Sequence, residues 1–106
     1  MKSFIINIVS AASLIIATSA LAVDMPPEGK AKCGACHDVN IKKIGPSFVD
    51  VAAKYKGDKD AASKIAASIN KGGAFGWNLG KMPPKGLGAN DAQIKSMSEF
   101  IAGLAK

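Results

Sequence analysis

Arginine is absent from this chain of 106 residues, histidine and tryptophan occur once each, and cysteine occurs twice. Each shortage excludes something. Without arginine there is no twin-arginine export signal. Neither is there a guanidinium fork for reading bases or phosphates, and with aromatics at 6% no basic, aromatic-interleaved patch marks a nucleic-acid surface. Two cysteines and one histidine cannot fill a four-ligand structural zinc site without carboxylates. A single histidine also rules out any metal held by two histidines of one chain. No convincing alternation of apolar and polar residues marks a strand, and no internal repeat or low-complexity tract is visible.

The scarce residues are clustered. Both cysteines and the histidine fall in Cys33-Gly34-Ala35-Cys36-His37, and a Cys-x-x-Cys-His run reads as a site of covalent c-type haem attachment. Residues three apart on a helical turn share a face, so both sulfurs can meet one edge of a porphyrin. His37 follows directly and can ligate the iron from one side. The competing readings are weaker. A dithiol oxidoreductase carries its Cys-x-x-Cys near a strand–helix–strand pattern, and a disulfide closing so short a loop would stabilise little.

The first residues read as an export signal. Lys2 gives a positive start, an uncharged apolar stretch runs from Phe4 to about Leu21, and Ala20-Leu21-Ala22 has the small-x-small form of a cleavage site. Although the stretch is long enough to span a bilayer, its Ser and Thr residues and the cleavage signature favour removal over anchoring. Residues 1–22 are therefore expected to be a cleaved signal peptide and residues 23–106 one small domain without a stable membrane span. A domain of that size buries a marginal core, a deficit that a large apolar cofactor offsets. The chain carries 14 basic side chains against 8 acidic ones, a formal charge of +6. A lysine-rich surface on an exported protein suits transient docking to an acidic protein face, where charge raises encounter rate more than affinity.

The pattern along the chain is helical. Pro26-Pro27 can open a short first helix that runs into the cysteine motif. A loop covers Asp38 to Pro46. Phe48, Val51, Ala52 and Tyr55 predict a helix over about Ser47 to Lys56, ended by Gly57. Asp58 or Asp60 can cap a third helix with Ala61, Ile65 and Ile69 on one face and Gly72-Gly73 as its stop. A long loop runs from Gly76 to Gly88. Asn90, with Gln93 in capping-box position, opens a last helix whose buried stripe is Ile94, Met97, Ile101 and Leu104, widened by Phe100. The class is all-α.

The iron's second axial position falls to a methionine or stays open. Met1 leaves with the signal peptide, Met25 is tied to the motif side by its nearness to Cys33, and Met97 belongs to the last helix's apolar stripe. Met82 remains, in Gly80-Lys81-Met82-Pro83-Pro84, where Pro83 biases it to an extended backbone and stiffens the loop.

Cys33-Gly34-Ala35-Cys36-His37, Gly45-Pro46 with Val51-Ala52-Ala53-Lys54-Tyr55, Gly76-Trp77 and Met82-Pro83-Pro84 occur in order and at matching distances. In this the chain resembles the short bacterial class I cytochromes c, from about Lys32 to Leu104. The resemblance implies about four short helices wrapped around one covalently bound haem, and a monomeric periplasmic one-electron carrier with axial ligands His37 and Met82. It also implies that the Pro46 carbonyl accepts from His37 Nδ1–H, and that the Trp77 indole bonds a haem propionate. Acidic-faced partners are expected, such as a terminal oxidase, nitrite reductase, cytochrome peroxidase or quinol-oxidising complex. The carrier reading implies no enzymatic activity. The rival is a five-coordinate haem protein that binds a small ligand or turns over peroxide weakly, but no distal His or Arg is available for that chemistry. Three positions depart from the family pattern. Pro26-Pro27-Glu28-Gly29-Lys30 stands where a bulky pair is usual, so the first helix should pack on the last differently. Ser68 replaces a basic residue that often binds a propionate, leaving Lys64 or Lys71 to substitute. Lys85 replaces an Asn just after Met-Pro-Pro.

Overall fold

The computed structural model describes residues 23–105, whose regular structure is four helices: α1 (Pro27–Lys32), α2 (Phe48–Lys54), α3 (Ala61–Lys71) and α4 (Asp91–Gly103). The only β pairing among the described residues is an isolated antiparallel bridge between Gly73 and Met82. The all-α class expected from the sequence is the class observed. The expected signal peptide lies outside the described residues. No helix among those described is long and apolar enough to cross a membrane.

Local chemistry explains most of the helix ends. Pro26 is the N-cap of α1 and Pro27 its first residue, a place where a missing N–H costs nothing because no intrahelical acceptor exists there. Ser47 caps α2 by accepting the Asp50 N–H at 3.1 Å. The regular helix stops at Lys54, short of the expected Lys56, while Tyr55 and Lys56 continue as a looser turn to Gly57, which takes φ +81°. Asp60 holds the N-cap position of α3 but gives no side-chain cap. The Asp58 carboxylate instead accepts the Asp60 N–H at 2.8 Å and pairs with Lys64. At α4 the capping box is complete: Asn90 Oδ1 accepts the Gln93 N–H at 2.8 Å, and Gln93 Oε1 accepts the Asn90 N–H at 3.0 Å.

Helix α4 is the element on which the other three pack. Its Ile94, Met97 and Ile101 are buried against Phe48 and Ala52 of α2, Ile65 and Ile69 of α3, and Met25 ahead of α1. Leu104 is only half-buried, so the stripe effectively ends at Ile101. The crossing of α1 over α4 is made by a small residue rather than a bulky pair. A Cβ at Gly29 would stand 2.6 Å from Met97 Sδ and 2.8 Å from Met25 Cγ. The two methionines fill the space beside the bare glycine, a task suited to their flexible, unbranched side chains. A hydrogen bond of 2.6 Å from Ser96 Oγ to Glu28 Oε1 closes the same crossing at the surface.

Candidate haem site

The Cys-x-x-Cys-His run leaves α1 as a tight turn rather than as further helix. Cys36 and His37 both donate their N–H to the Cys33 carbonyl, at 3.1 and 2.9 Å. Gly34 is needed inside this turn, since a Cβ there would meet the Lys30 carbonyl oxygen at 2.7 Å. Two bonds then tie the turn to the following loop. Gly45 N–H donates to the Cys36 carbonyl at 2.7 Å, and Lys43 Nζ donates to the Gly34 carbonyl at 2.8 Å. Both cysteines are half-buried, and no disulfide joins them. Burial, and secondarily the neighbouring Cys36, push the Cys33 thiol above its ordinary range.

His37 is held on three sides. Its Nδ1 lies 2.8 Å from the Pro46 carbonyl oxygen. Its ring stacks on Phe48 with centroids 5.0 Å apart and planes 19° apart. The third side is the backbone of Gly45, where any Cβ would run into the imidazole. A carbonyl can only accept, so Nδ1 carries the proton and Nε2 keeps its lone pair. This is the tautomer and fixed orientation a metal-binding imidazole needs.

Met82 is positioned from the backbone. Its N–H and carbonyl pair with the carbonyl and N–H of Gly73, both at 2.9 Å, closing the segment 73–82 at its neck. Gly72, at φ +68°, has no room for a side chain, because a Cβ would stand 2.6 Å from the Met82 carbonyl oxygen and 2.7 Å from Pro84 N. Beyond the prolines, Lys85 N–H donates to the Ile69 carbonyl at 2.7 Å and Leu87 N–H to that of Lys32 at 3.3 Å. The Met82 loop is thus anchored to α3 at Ile69, to Gly73 just past the end of α3, and to the end of α1 at Lys32.

These parts surround one cavity of about 1100 Å³, measured to its open mouth. Cys33, Cys36, His37, Pro46, Trp77 and Met82 all line it, so every site residue expected from the sequence is brought to the same space. Of the three methionines among the described residues, only Met82 reaches its wall; Met25 and Met97 are buried in the core. The wall fits a flat, apolar, metal-centred ring. It offers two thiols on one turn, an imidazole in the ligating tautomer, a thioether on a pinned loop, and Phe48, Ile65, Ile69 and Ile101 as apolar packing.

The substitutes expected for the basic residue at Ser68 are not where the sequence suggested. Ser68 itself lines the cavity, but Lys64 is engaged by Asp58 and neither Lys64 nor Lys71 reaches the wall. Lys54 does. Its Nζ lies 5.5 Å from the Trp77 ring centroid and donates, at 3.4 Å, to the Phe75 carbonyl. Sequence reasoning also missed the Gly73–Met82 pairing and the close approach of Gly45 to His37. Gly72-Gly73 was legible only as a helix stop.

Comparison with known proteins agrees with this construction. Residues 29–105 match the family model for cytochrome c. Cytochrome c-552 of Hydrogenobacter thermophilus is 43% identical over 72 residues, covering 68% of this chain and 71% of that protein. Cytochrome c-552 of Nitrosomonas europaea is 36% identical over 104 residues, covering 98% of this chain and 99% of that protein. The crystal structure of wild-type Nitrosomonas europaea cytochrome c552 superposes with a TM-score of 0.66 at 37% identity, over 73% of this chain and 95% of that one. The family's covalent haem has its two cysteines here on one turn and its apolar wall beside them; the chain belongs to the cytochrome c family, with the class I fold, and is a haem-c electron carrier.

Proposed function

We propose that this protein is a periplasmic one-electron shuttle whose haem iron is held axially by His37 and Met82. The observation that carries the reading is the convergence on one cavity of an imidazole held by Pro46 and a thioether whose backbone is held by Gly73. When bound, the haem supplies reversible one-electron chemistry at its iron, and the protein's part is to hold, shield and present it. His37 is kept in one tautomer by Pro46. Met82 contributes a soft neutral donor, which favours the ferrous state and a potential above that of a bis-histidine haem. Cys33 and Cys36 would fix the ring by thioethers, and Trp77 would donate its indole N–H to a propionate. The paired bonds between Gly73 and Met82 support retention of the methionine and weigh against the rival reading of an open, ligand-binding site.

The location follows from the expected signal peptide at residues 1–22, cleaved after Ala22, and from covalent haem attachment. The partners are proteins with acidic docking faces, of the oxidase, nitrite reductase, peroxidase or quinol-oxidising kind, met by a monomer. Lys32 and Lys81 lie on the cavity wall and Lys85 is exposed on the loop that follows Met82. Ile44 and Leu87, 66% and 54% exposed, line the same cavity. Changing Lys81 and Lys85 together to Glu should slow electron transfer to an acidic-faced acceptor by tenfold or more at low salt (order of magnitude from steering effects) and flatten its salt dependence. Stopped-flow rates across an ionic-strength series measure this, and an unchanged rate and slope would remove both lysines from the docking face.

A further inference from the structure

The charge on the cavity wall is one-sided. Lys32, Lys54 and Lys81 line it, and no Asp or Glu does. Two of these lysines belong to the ligand-bearing ends of the site, Lys32 next to Cys33 and Lys81 next to Met82. Lys54 stands apart. It is the last residue of α2, and it meets the cavity together with Tyr55, Phe75 and Trp77.

The surroundings of the Lys54 ammonium are polarisable, and no carboxylate among the described residues is in salt-bridge contact with it. It is 5.5 Å from the Trp77 ring centroid and 6.0 Å from that of Tyr55. Its one hydrogen bond, to the Phe75 carbonyl, is long at 3.4 Å. Lysine carries three N–H donors, so donors remain for an acceptor in the cavity. The Trp77 contact keeps the side chain turned toward that wall, since a cation is attracted to an indole face. The turn beneath is fixed by left-handed residues, with Phe75 at φ +53°, Gly76 at +78° and Asn78 at +57°.

A haem is anionic along one edge. Its vinyl-derived edge is taken by the two thioethers, which leaves the two propionates for the part of the wall away from Cys33 and Cys36. We infer that Lys54 is the cationic partner of the propionate that Trp77 binds, replacing the base that Ser68 does not supply and that Lys64, held by Asp58, does not offer. The inference rests on the Trp77–propionate reading above. The charged and titratable groups facing that propionate are Lys54 and Tyr55 from the end of α2 and Lys81 from the Met82 loop, with Lys32 at the end of α1; α3 gives Ser68 and α4 gives Ile101, both uncharged. An opposite charge within reach holds a carboxylate in its ionised form. Lys54 therefore keeps this propionate ionised through the neutral range and offsets its negative charge at the iron.

The test is the reduction potential of the purified haem protein against pH for wild type, Lys54→Met, Lys54→Arg and Trp77→Phe. Ionisation of a propionate appears as a downward step in the potential as pH rises. Lys54→Met should move that step up by about one pH unit, a tenfold rise in the propionate's proton affinity, and lower the potential at high pH. Lys54→Arg should restore the wild-type profile. If Trp77→Phe moves the step and Lys54→Met leaves it in place, the assignment of Lys54 is overturned while the propionate edge stands. If neither variant moves it, the Trp77 reading fails and takes the inference with it. A change in melting temperature with an unmoved step marks Lys54 as merely structural and overturns the inference as well.

Discussion

Gly45 is the residue whose smallness the haem site depends on most directly. The His37 ring is already fixed by the Pro46 carbonyl and by stacking on Phe48, so it cannot move aside for a Cβ at position 45. Gly45→Ala should cost about 1–3 kcal/mol, the usual range for overpacking. It should also loosen axial coordination, seen as a lower denaturation midpoint together with a growing high-spin component in the ferric optical spectrum. An unaltered midpoint and spectrum would show that the loop relaxes freely. This constraint was half legible in the sequence. Gly45-Pro46 could be read as a loop end and, by resemblance, as the carbonyl partner of His37, but the need for a bare backbone against an imidazole arises from a contact across the loop. Lys85 shows the same limit. Its φ of +59° lies where a non-glycine side chain is strained by about 1–2 kcal/mol. That gives a physical reason for an Asn in the family pattern, because Asn tolerates this region better than Lys.

At the scale of elements, α4 carries the fold, and its start is its most legible feature. Asn90 and Gln93 satisfy each other's N–H reciprocally, as their spacing predicts. Asn90→Ala should lower stability by about 1 kcal/mol, measured by denaturant unfolding of the haem-bearing protein; a loss below a few tenths would mean that packing alone sets the helix start. The crossing of α1 on α4 was legible only as a departure. Nothing in Gly29, Met25 and Met97 taken separately says that the glycine admits both methionines. The surface bond across this crossing gives a pH signature. The Ser96 hydroxyl, with a smaller backbone contribution, holds Glu28 below the ordinary carboxylate range. A depressed carboxylate contributes stability that is present above its unfolded pKa and lost as pH falls through the folded one. Ser96→Ala should therefore lower the melting temperature slightly near pH 7 and leave it nearer to wild type in acid, below about pH 4. Melting curves across pH 3–7 check this, and a difference that stays constant with pH would place the effect in packing.

For the whole molecule, the fold brings the two proposed axial ligands to one cavity from distant parts of the sequence. His37 leaves the turn after α1, and Met82 returns on a loop pinned to α3 and to the end of α1. The proposed ligands were named from scarcity: one histidine, and, past the expected signal peptide, one methionine outside both the motif region and a helical stripe. The pinning was not, because the Gly73–Met82 pair and the bonds from Lys85 and Leu87 are backbone contacts with no side-chain signature. Lys54 was overlooked for a related reason. On α2 it reads as an ordinary exposed lysine, and only the turn carrying Phe75 and Trp77 gives it a role. Six-coordinate His37/Met82 ligation in an electron carrier can be read from the optical spectrum of the purified protein, oxidised and reduced. Both states should show a low-spin pattern, and the ferric form a weak far-red sulfur-to-iron charge-transfer band that is lost in Met82→Ala. A high-spin ferric spectrum without that band in the unaltered protein would contradict six-coordinate ligation and point to an open axial site.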